Sequence, residues 1–110
     1  MNTYLNELFN LDGKVAVVIG AGGHLCSEMA KGLAKAGCSV AILDIRLEKA
    51  EAVSNDLRIE GIDRVMSLAI DVSEKVEHIN VLNEILEKFG QVDILINGAG
   101  IFSHSPFLEI

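Results

Sequence analysis

The sequence is poor in cysteine, in cations and in long apolar runs, and each shortage removes a class of protein. Cys26 and Cys38 are its only cysteines, and no Cys-x-x-Cys or clustered His/Cys spacing occurs. Neither a disulfide framework nor a metal site is therefore expected, and both thiols should be reduced. Nine basic residues stand against 16 acidic ones, a net charge of −7. Nucleic acid and anionic membrane need a basic surface, so neither is expected as a partner. No apolar run approaches the roughly eighteen residues of a membrane span. The opening MNTYLNELFNLDGK lacks the basic stretch and apolar block of a secretory signal, so a cytoplasmic location is expected.

What is present is a hydrophobic half of a 110-residue chain, enough for one small domain with a core. Lys14–Gly20 is a short Val/Ile-rich run ended by glycine, which reads as a buried strand. Residues 25–36 carry a helical pattern, with Leu25, Met29, Leu33 and Ala36 on one face and Gly37 as its stop. Ser39–Leu43 is a second strand. Arg46–Glu60 is a second helix, with Leu47, Ala50, Val53 and Leu57 inward and Gly61 after it. Arg64–Ile70 is a third strand. Ser73–Phe89 is the longest helix, with Ser73 as N-cap and Val76, Ile79, Leu82, Ile85, Leu86 and Phe89 facing the core. Gln91–Ile96 is a fourth strand, followed by the glycine-rich Asn97–Gly100.

Strands alternating with helices predict a parallel sheet with helices on its faces. Right-handed crossovers leave few arrangements, and the expected strand order is 3-2-1-4, the first half of a doubly wound, Rossmann-type α/β sheet. The end of the chain, Ser105-Pro106-Phe107-Leu108-Glu109-Ile110, reads as a helix opening that stops within one turn. Together with a fourth strand that needs a neighbour, this predicts a truncated domain rather than a complete one with a frayed tail.

The stretch with the most chemistry is the first turn. Gly20, Gly22 and Gly23 lie directly between a strand and a helix. A phosphate at a helix start meets free backbone N–H groups and the positive end of the helix dipole, and glycine lets the backbone come close. Asp44 ends the second strand about twenty residues further on, where an acid hydrogen-bonds the adenosine ribose. A carboxylate there repels a 2′-phosphate, so NAD is expected in preference to NADP. Two blander readings stand beside this: Asp44 as a cap of the next helix, and Arg46 as an ordinary exposed residue at a helix start rather than a 2′-phosphate ligand. Asp71 either faces the adenine or helps cap the following helix. The small residues of Asn97–Gly100 would let a cofactor lie close to the backbone at the carboxyl edge of the sheet.

These segments together resemble the short-chain dehydrogenase/reductase family. The resemblance runs from about Phe9 to Ile110 and rests on LDGKVAVVIGAGG, on AILD ending at Asp44, on Asp71-Val72, and most specifically on VDILINGAG, Val92 to Gly100. The last of these is similar to the family's Asn-Asn-Ala-Gly motif, with Gly98 in place of the second asparagine. Two further departures are Ile19, where the family usually has threonine, and His24 and Cys26, where it usually has glycine. The form of the turn resembles the branch that interconverts mannonate and fructuronate. The resemblance implies that the cofactor lies against Gly20, Gly22, Gly23, His24 and Leu25, against Asp44 and Ile45, against Asp71 and Val72, and against Asn97, Gly98, Ala99 and Gly100. The His24 side chain is expected to face solvent, with a phosphate contact as the alternative. Cys26 is expected to be a small residue packed on the first strand, with a reactive thiol as the alternative.

The family's serine, Tyr-x-x-x-Lys pair and further asparagine have no counterparts here. Tyr4, the single tyrosine, precedes the first strand, so no residue receives a catalytic role. The resemblance implies about the first half of an oxidoreductase that moves hydride between nicotinamide and a small alcohol or sugar acid. It further implies inactivity of this chain alone and a homo-oligomer at full length. Two other readings remain: a non-catalytic nucleotide-binding module, and a methyltransferase-like domain, whose ligand also uses a glycine turn and an acid after the second strand.

Overall fold

The protein is described by a computed structural model covering residues 3–98. Its elements are α1 (Thr3–Phe9), β1 (Val15–Ile19), α2 (His24–Lys35), β2 (Ser39–Asp44), α3 (Leu47–Ile59), β3 (Val65–Ala69), α4 (Lys75–Phe89) and β4 (Ile94–Asn97). The sheet is parallel throughout, in the order β3-β2-β1-β4, as the βα alternation predicts. The registers align Val15 with Ser39, Val40 with Val65 and Ala16 with Ile94. All the strands therefore end at one edge.

The strands are apolar along their length because both faces of the sheet are covered. Successive side chains alternate between faces. Ala16 and Val18 of β1, with Val40 and Ile42 of β2, pack under α2 and α3 against Ala30, Ala34, Val53 and Leu57. Val15, Val17 and Ile19, with Ala41 and Leu43, face the other way onto Val81 and Ile85 of α4. The strands β1 and β2 are almost wholly buried, whereas β4 alternates between half-buried and exposed residues. Among the described residues the outer side of β4 carries no further strand.

Three expectations about helix faces need correction. The buried residues of α2 are Ala30 and Ala34, with Leu33 and Cys26 packed beside them, while Leu25 is 71% exposed and Met29 and Ala36 lie outside. Small residues bring this helix close to the sheet, and the large apolar ones are turned away. In α3, Ala50, Val53 and Leu57 are inward as expected, but Leu47 is exposed, and the buried set includes Ser54. Only Val81 and Ile85 of α4 are buried; Phe89 is partly so, while Val76, Ile79, Leu82 and Leu86 are exposed. Of these exposed residues only Leu82 borders the apolar groove of about 250 Å³ between α4 and the sheet, which Val81, Ile85, Val17, Ile19 and Leu95 also line.

Ser73 does not cap α4. The helix begins at Lys75, and the Ser73 hydroxyl instead donates to Asp71 Oδ1 at 2.6 Å. The α1 helix was not expected; Tyr4, Leu5, Leu8 and Phe9 recur along it without reaching either core. Ser105–Ile110, read from sequence as a helix opening, lies outside the described residues.

Side chains tie the layers at a few points. The Ser54 and Ser67 hydroxyls bond each other between α3 and β3, and Ser67 Oγ also donates to the Ala50 carbonyl at 3.3 Å. The Arg64 guanidinium donates to the Cys38 and Ala34 carbonyls, which ties the start of β3 to the end of α2 and the connection into β2. Burial pushes the Cys38 thiol up from its ordinary value.

Asp93 closes the connection into β4. Its Oδ2 accepts the Val15 N–H at 2.8 Å and the Gln91 side-chain amide at 2.7 Å, and both bonds hold its carboxyl below the usual carboxylate range. A lowered folded-state value stabilises the fold above the ordinary value, and the gain is lost as pH falls through the lowered one. Asp93→Asn is thus expected to lower the thermal midpoint at pH 7, with the deficit shrinking as pH falls below about 4. A deficit that stays constant down to pH 2 would show that the charge is not what holds this connection.

Candidate functional site

The carboxyl edge of the sheet gathers most of the residues expected from sequence. β1 is followed by Gly20, whose φ of +81° is one that a side chain would strain. The N–H groups of Gly20 and Ala21 donate to the Leu43 carbonyl at 2.8 and 3.0 Å, and Gly23 donates to the Gly20 carbonyl at 3.1 Å. The chain thus turns back on itself before entering α2. Gly23 occupies the N-cap position, where it can offer no side-chain acceptor. Helix geometry leaves the N–H groups of His24, Leu25 and Cys26 without intrahelical acceptors, in the position that anions favour. The His24 side chain is exposed, as expected.

Asp44, at the end of β2, is bound into this turn. Its Oδ2 accepts the Gly22 N–H at 3.0 Å and its Oδ1 accepts the Arg46 N–H at 3.0 Å. Sequence reasoning weighed Asp44 as ribose ligand or helix cap. The bond to Arg46 lies at the N-cap position of α3, but no side-chain cap reaches that helix, and the contact to Gly22 across the sheet edge was not expected. A carboxylate has about four acceptor positions, so two backbone bonds leave room for hydroxyl donors. Space at Gly22 is closed: an added Cβ would lie 2.7 Å from Asp44 Oδ2 and 2.6 Å from Lys49 Cβ. Only glycine fits this approach, a spatial requirement that spacing alone does not reveal. Arg46 is exposed, and so is Ile45, by 67%.

The end of β3 lies alongside. Ile70 donates its N–H to the Asp44 carbonyl at 3.0 Å, which brings Asp71 and Val72 next to the β2 end. Asp71 Oδ1 accepts the Ser73 hydroxyl and, at 3.0 Å, the Ser73 N–H, and these bonds hold its carboxyl below the usual range. Asp71 therefore closes the turn before α4 rather than capping the helix. On the other flank of β1, Gly98 donates its N–H to the Ile19 carbonyl at 2.8 Å, so Asn97 and Gly98 stand next to the glycine turn. Ala99 and Gly100 lie outside the described residues.

The arrangement is that of a Rossmann-like α/β sheet with a glycine turn at its topological switch point, where β2 and β4 diverge on either side of β1. A family model described as short chain dehydrogenase matches residues 14–110, and the chain belongs to that family. Its members bind nicotinamide cofactors. Among relatives, an uncharacterized oxidoreductase UxuB of Bacillus subtilis is 44% identical over 91 residues, covering 83% of this chain and 32% of that protein. A 2-dehydro-3-deoxy-D-gluconate 5-dehydrogenase of Dickeya dadantii is 37% identical over 106 residues, covering 92% and 39%. A crystal structure of 3-ketoacyl-(acyl-carrier-protein) reductase from Brucella melitensis, complexed with NADH, superposes with a TM-score of 0.71 at 38% identity, over 77% of this chain and 33% of that one. The chain thus spans roughly a third of the length of the proteins it matches.

Proposed function

We propose that this chain forms the cofactor-binding part of an NAD-preferring oxidoreductase that acts on a small alcohol or sugar acid, in the manner of mannonate/fructuronate interconversion. The observation that carries the reading is Asp44, whose carboxylate is fixed at the β2 end by Gly22 and Arg46 and keeps acceptor positions free. The residues fit the group: Gly22 approaches Asp44 and Lys49 too closely for any side chain, and Gly20 takes a φ of +81° that glycine allows. In this reading the N–H groups at the α2 start bind the cofactor phosphates. Asp44 accepts the ribose hydroxyls and repels a 2′-phosphate. Ile45, Asp71 and Val72 border the adenine side, and Asn97–Gly100 the nicotinamide side. Bound nicotinamide supplies hydride transfer.

The proton chemistry is assigned to a serine and a Tyr-x-x-x-Lys pair in a longer form of the protein, so the 110 residues alone should turn over no substrate. A sugar-acid substrate is supported by the Dickeya dadantii relative, whose name denotes a keto-deoxygluconate dehydrogenase. A cytoplasmic location and a homo-oligomeric state, the latter to be read by sedimentation, belong to the same proposal. The open outer side of β4, with Leu95 63% exposed, supports association.

The test is fluorescence titration of the folded protein with NADH and NADPH, beside Asp44→Ala. NADH should bind more tightly than NADPH, and Asp44→Ala should weaken NADH by about tenfold while narrowing that preference, the scale of one hydrogen bond to a charged group. A preference for NADPH in the unaltered protein would refute the assignment to NAD. Binding of NADH with no oxidation of any alcohol or sugar acid by the longer form would favour a non-catalytic module.

A further inference from the structure

The end of β4 and the first turn of α2 meet at one contact, and it is unusually close. A Cβ built on Gly98 would overlap Cys26 Sγ and would lie 3.2 Å from the Ile19 carbonyl. The Gly98 N–H is meanwhile held by that same carbonyl. A residue larger than glycine at position 98 requires the Cys26 side chain or the strand end to move. Cys26 is partly buried and packs against the core under α2. Two of the sequence's departures from the family pattern are therefore the two sides of one contact: a larger residue where glycine is usual, and glycine where asparagine is usual. The side-chain volume has moved from the strand end to the helix.

The contact sits between the two halves of the site. Asp44 lies at the end of β2 and Gly98 at the end of β4, on opposite flanks of β1. A dinucleotide bound at a switch point crosses from one flank to the other. Resting on the dinucleotide reading above, we propose that Cys26 and Gly98 form a size-exchanged pair that sets the distance of the glycine turn from the β4 end. Cys26 is then a positioning residue for the half of the cofactor beyond the phosphates. Its thiol fills volume; it makes no bond and takes no part in redox chemistry.

The test uses Gly98→Ala, Cys26→Gly and the variant carrying both. Each is titrated with NADH and with adenosine monophosphate, and its thermal midpoint is read in the same buffer. Gly98→Ala should weaken NADH by about tenfold or more, and Cys26→Gly by about threefold, because overpacking costs more here than a one-thiol void. The double variant should return to within about threefold of the unaltered protein, since coupling between residues in contact is non-additive. Adenosine monophosphate should keep its affinity throughout, because it engages the Asp44 flank and the turn but has no second half.

Losses that add in the double variant overturn the pairing. Equal losses for both ligands overturn the positioning role, because general destabilisation would produce them. If Gly98→Ala cannot be recovered folded, recovery of the double variant is the rescue, and a double variant no more soluble than the single one overturns the pairing. An unaltered protein that binds neither ligand refutes the dinucleotide reading and the positioning role with it, while the midpoints still report whether the two residues are coupled.

Discussion

Gly22→Ala is expected to weaken NADH binding by about 100-fold in a protein that still folds. The new Cβ meets Asp44 Oδ2 at 2.7 Å and Lys49 Cβ at 2.6 Å, distances that real side chains do not sustain. Lys49 Cβ is the root of its side chain and moves only with α3. The Asp44 carboxylate is held from the far side by the Arg46 N–H. The turn must therefore retreat from β2 and give up the bond from the Gly22 N–H to the carboxylate. A hydrogen bond to a charged group contributes about 1.5–3 kcal/mol, and each 1.4 kcal/mol is tenfold in affinity. Retreat also moves the α2 N–H groups away from where an anion would sit. Gly32→Ala, in the middle of the same helix and with nothing near its Cβ, is the control. It should leave affinity unchanged and raise stability by about 0.5–1 kcal/mol. If Gly22→Ala binds NADH within about threefold of the unaltered protein, less than half a hydrogen bond's worth, the turn is not the binding element.

Ile42→Ala is expected to lower unfolding free energy by about 3–4 kcal/mol. Ile42 is fully buried in β2, with β1 and β3 bonded on either side and α2 and α3 above it. Its neighbours there are largely alanine and valine, whose short side chains cannot move far enough to fill the void. Small domains have about 5–15 kcal/mol of stability in all, so the loss is a large share of the total. Ile42→Val removes one methyl group and should cost only about 1 kcal/mol. Denaturant unfolding of both variants reads the difference. A loss below about 1 kcal/mol for the alanine variant would mean that the space under α2 and α3 collapses freely, against the close packing described.

The architecture was legible because two periods alternate along the chain. Short, β-branched apolar runs such as VAVVI read as strands covered on both faces, and the helical stretches between them predict parallel pairing, with β3-β2-β1-β4 as the usual order. Which face each helix buries was less legible. Large apolar residues were read as the inward set, but α2 turns Ala30 and Ala34 to the sheet and leaves Leu25 out. A hydrophobic pattern records how apolar a face is and not how closely it approaches the sheet. The α4 face shows the same limit, since Ile79, Leu82 and Leu86 are as apolar as Ile85 yet exposed.

Within the site, strand, glycine turn, helix and Asp44 could be placed from spacing alone. The contacts among them could not. That Asp44 grips the Gly22 N–H, and that Cys26 fills the space beside Gly98, depend on approaches between segments 22 and 72 positions apart. The Ser54–Ser67 pair was missed for the same reason: a serine on the inner face of a helix looks like a break in the pattern until its partner on β3 is seen.

The position of β1 also orders the way this sheet can assemble. β1 is made first and lies between β2, which follows after one helix, and β4, which follows after three. Val15 and its Asp93 latch are 78 residues apart, against 24 for the pairing of Val15 with Ser39. Closing the longer loop costs more chain entropy and comes late, so β3-β2-β1 is the natural early unit and β4 joins after it. During synthesis, the flank of β1 that will receive β4 stays open until α4 has left the ribosome. The Asp93 side chain, reaching back to the first residue of β1, then marks the joining of β4 to that flank.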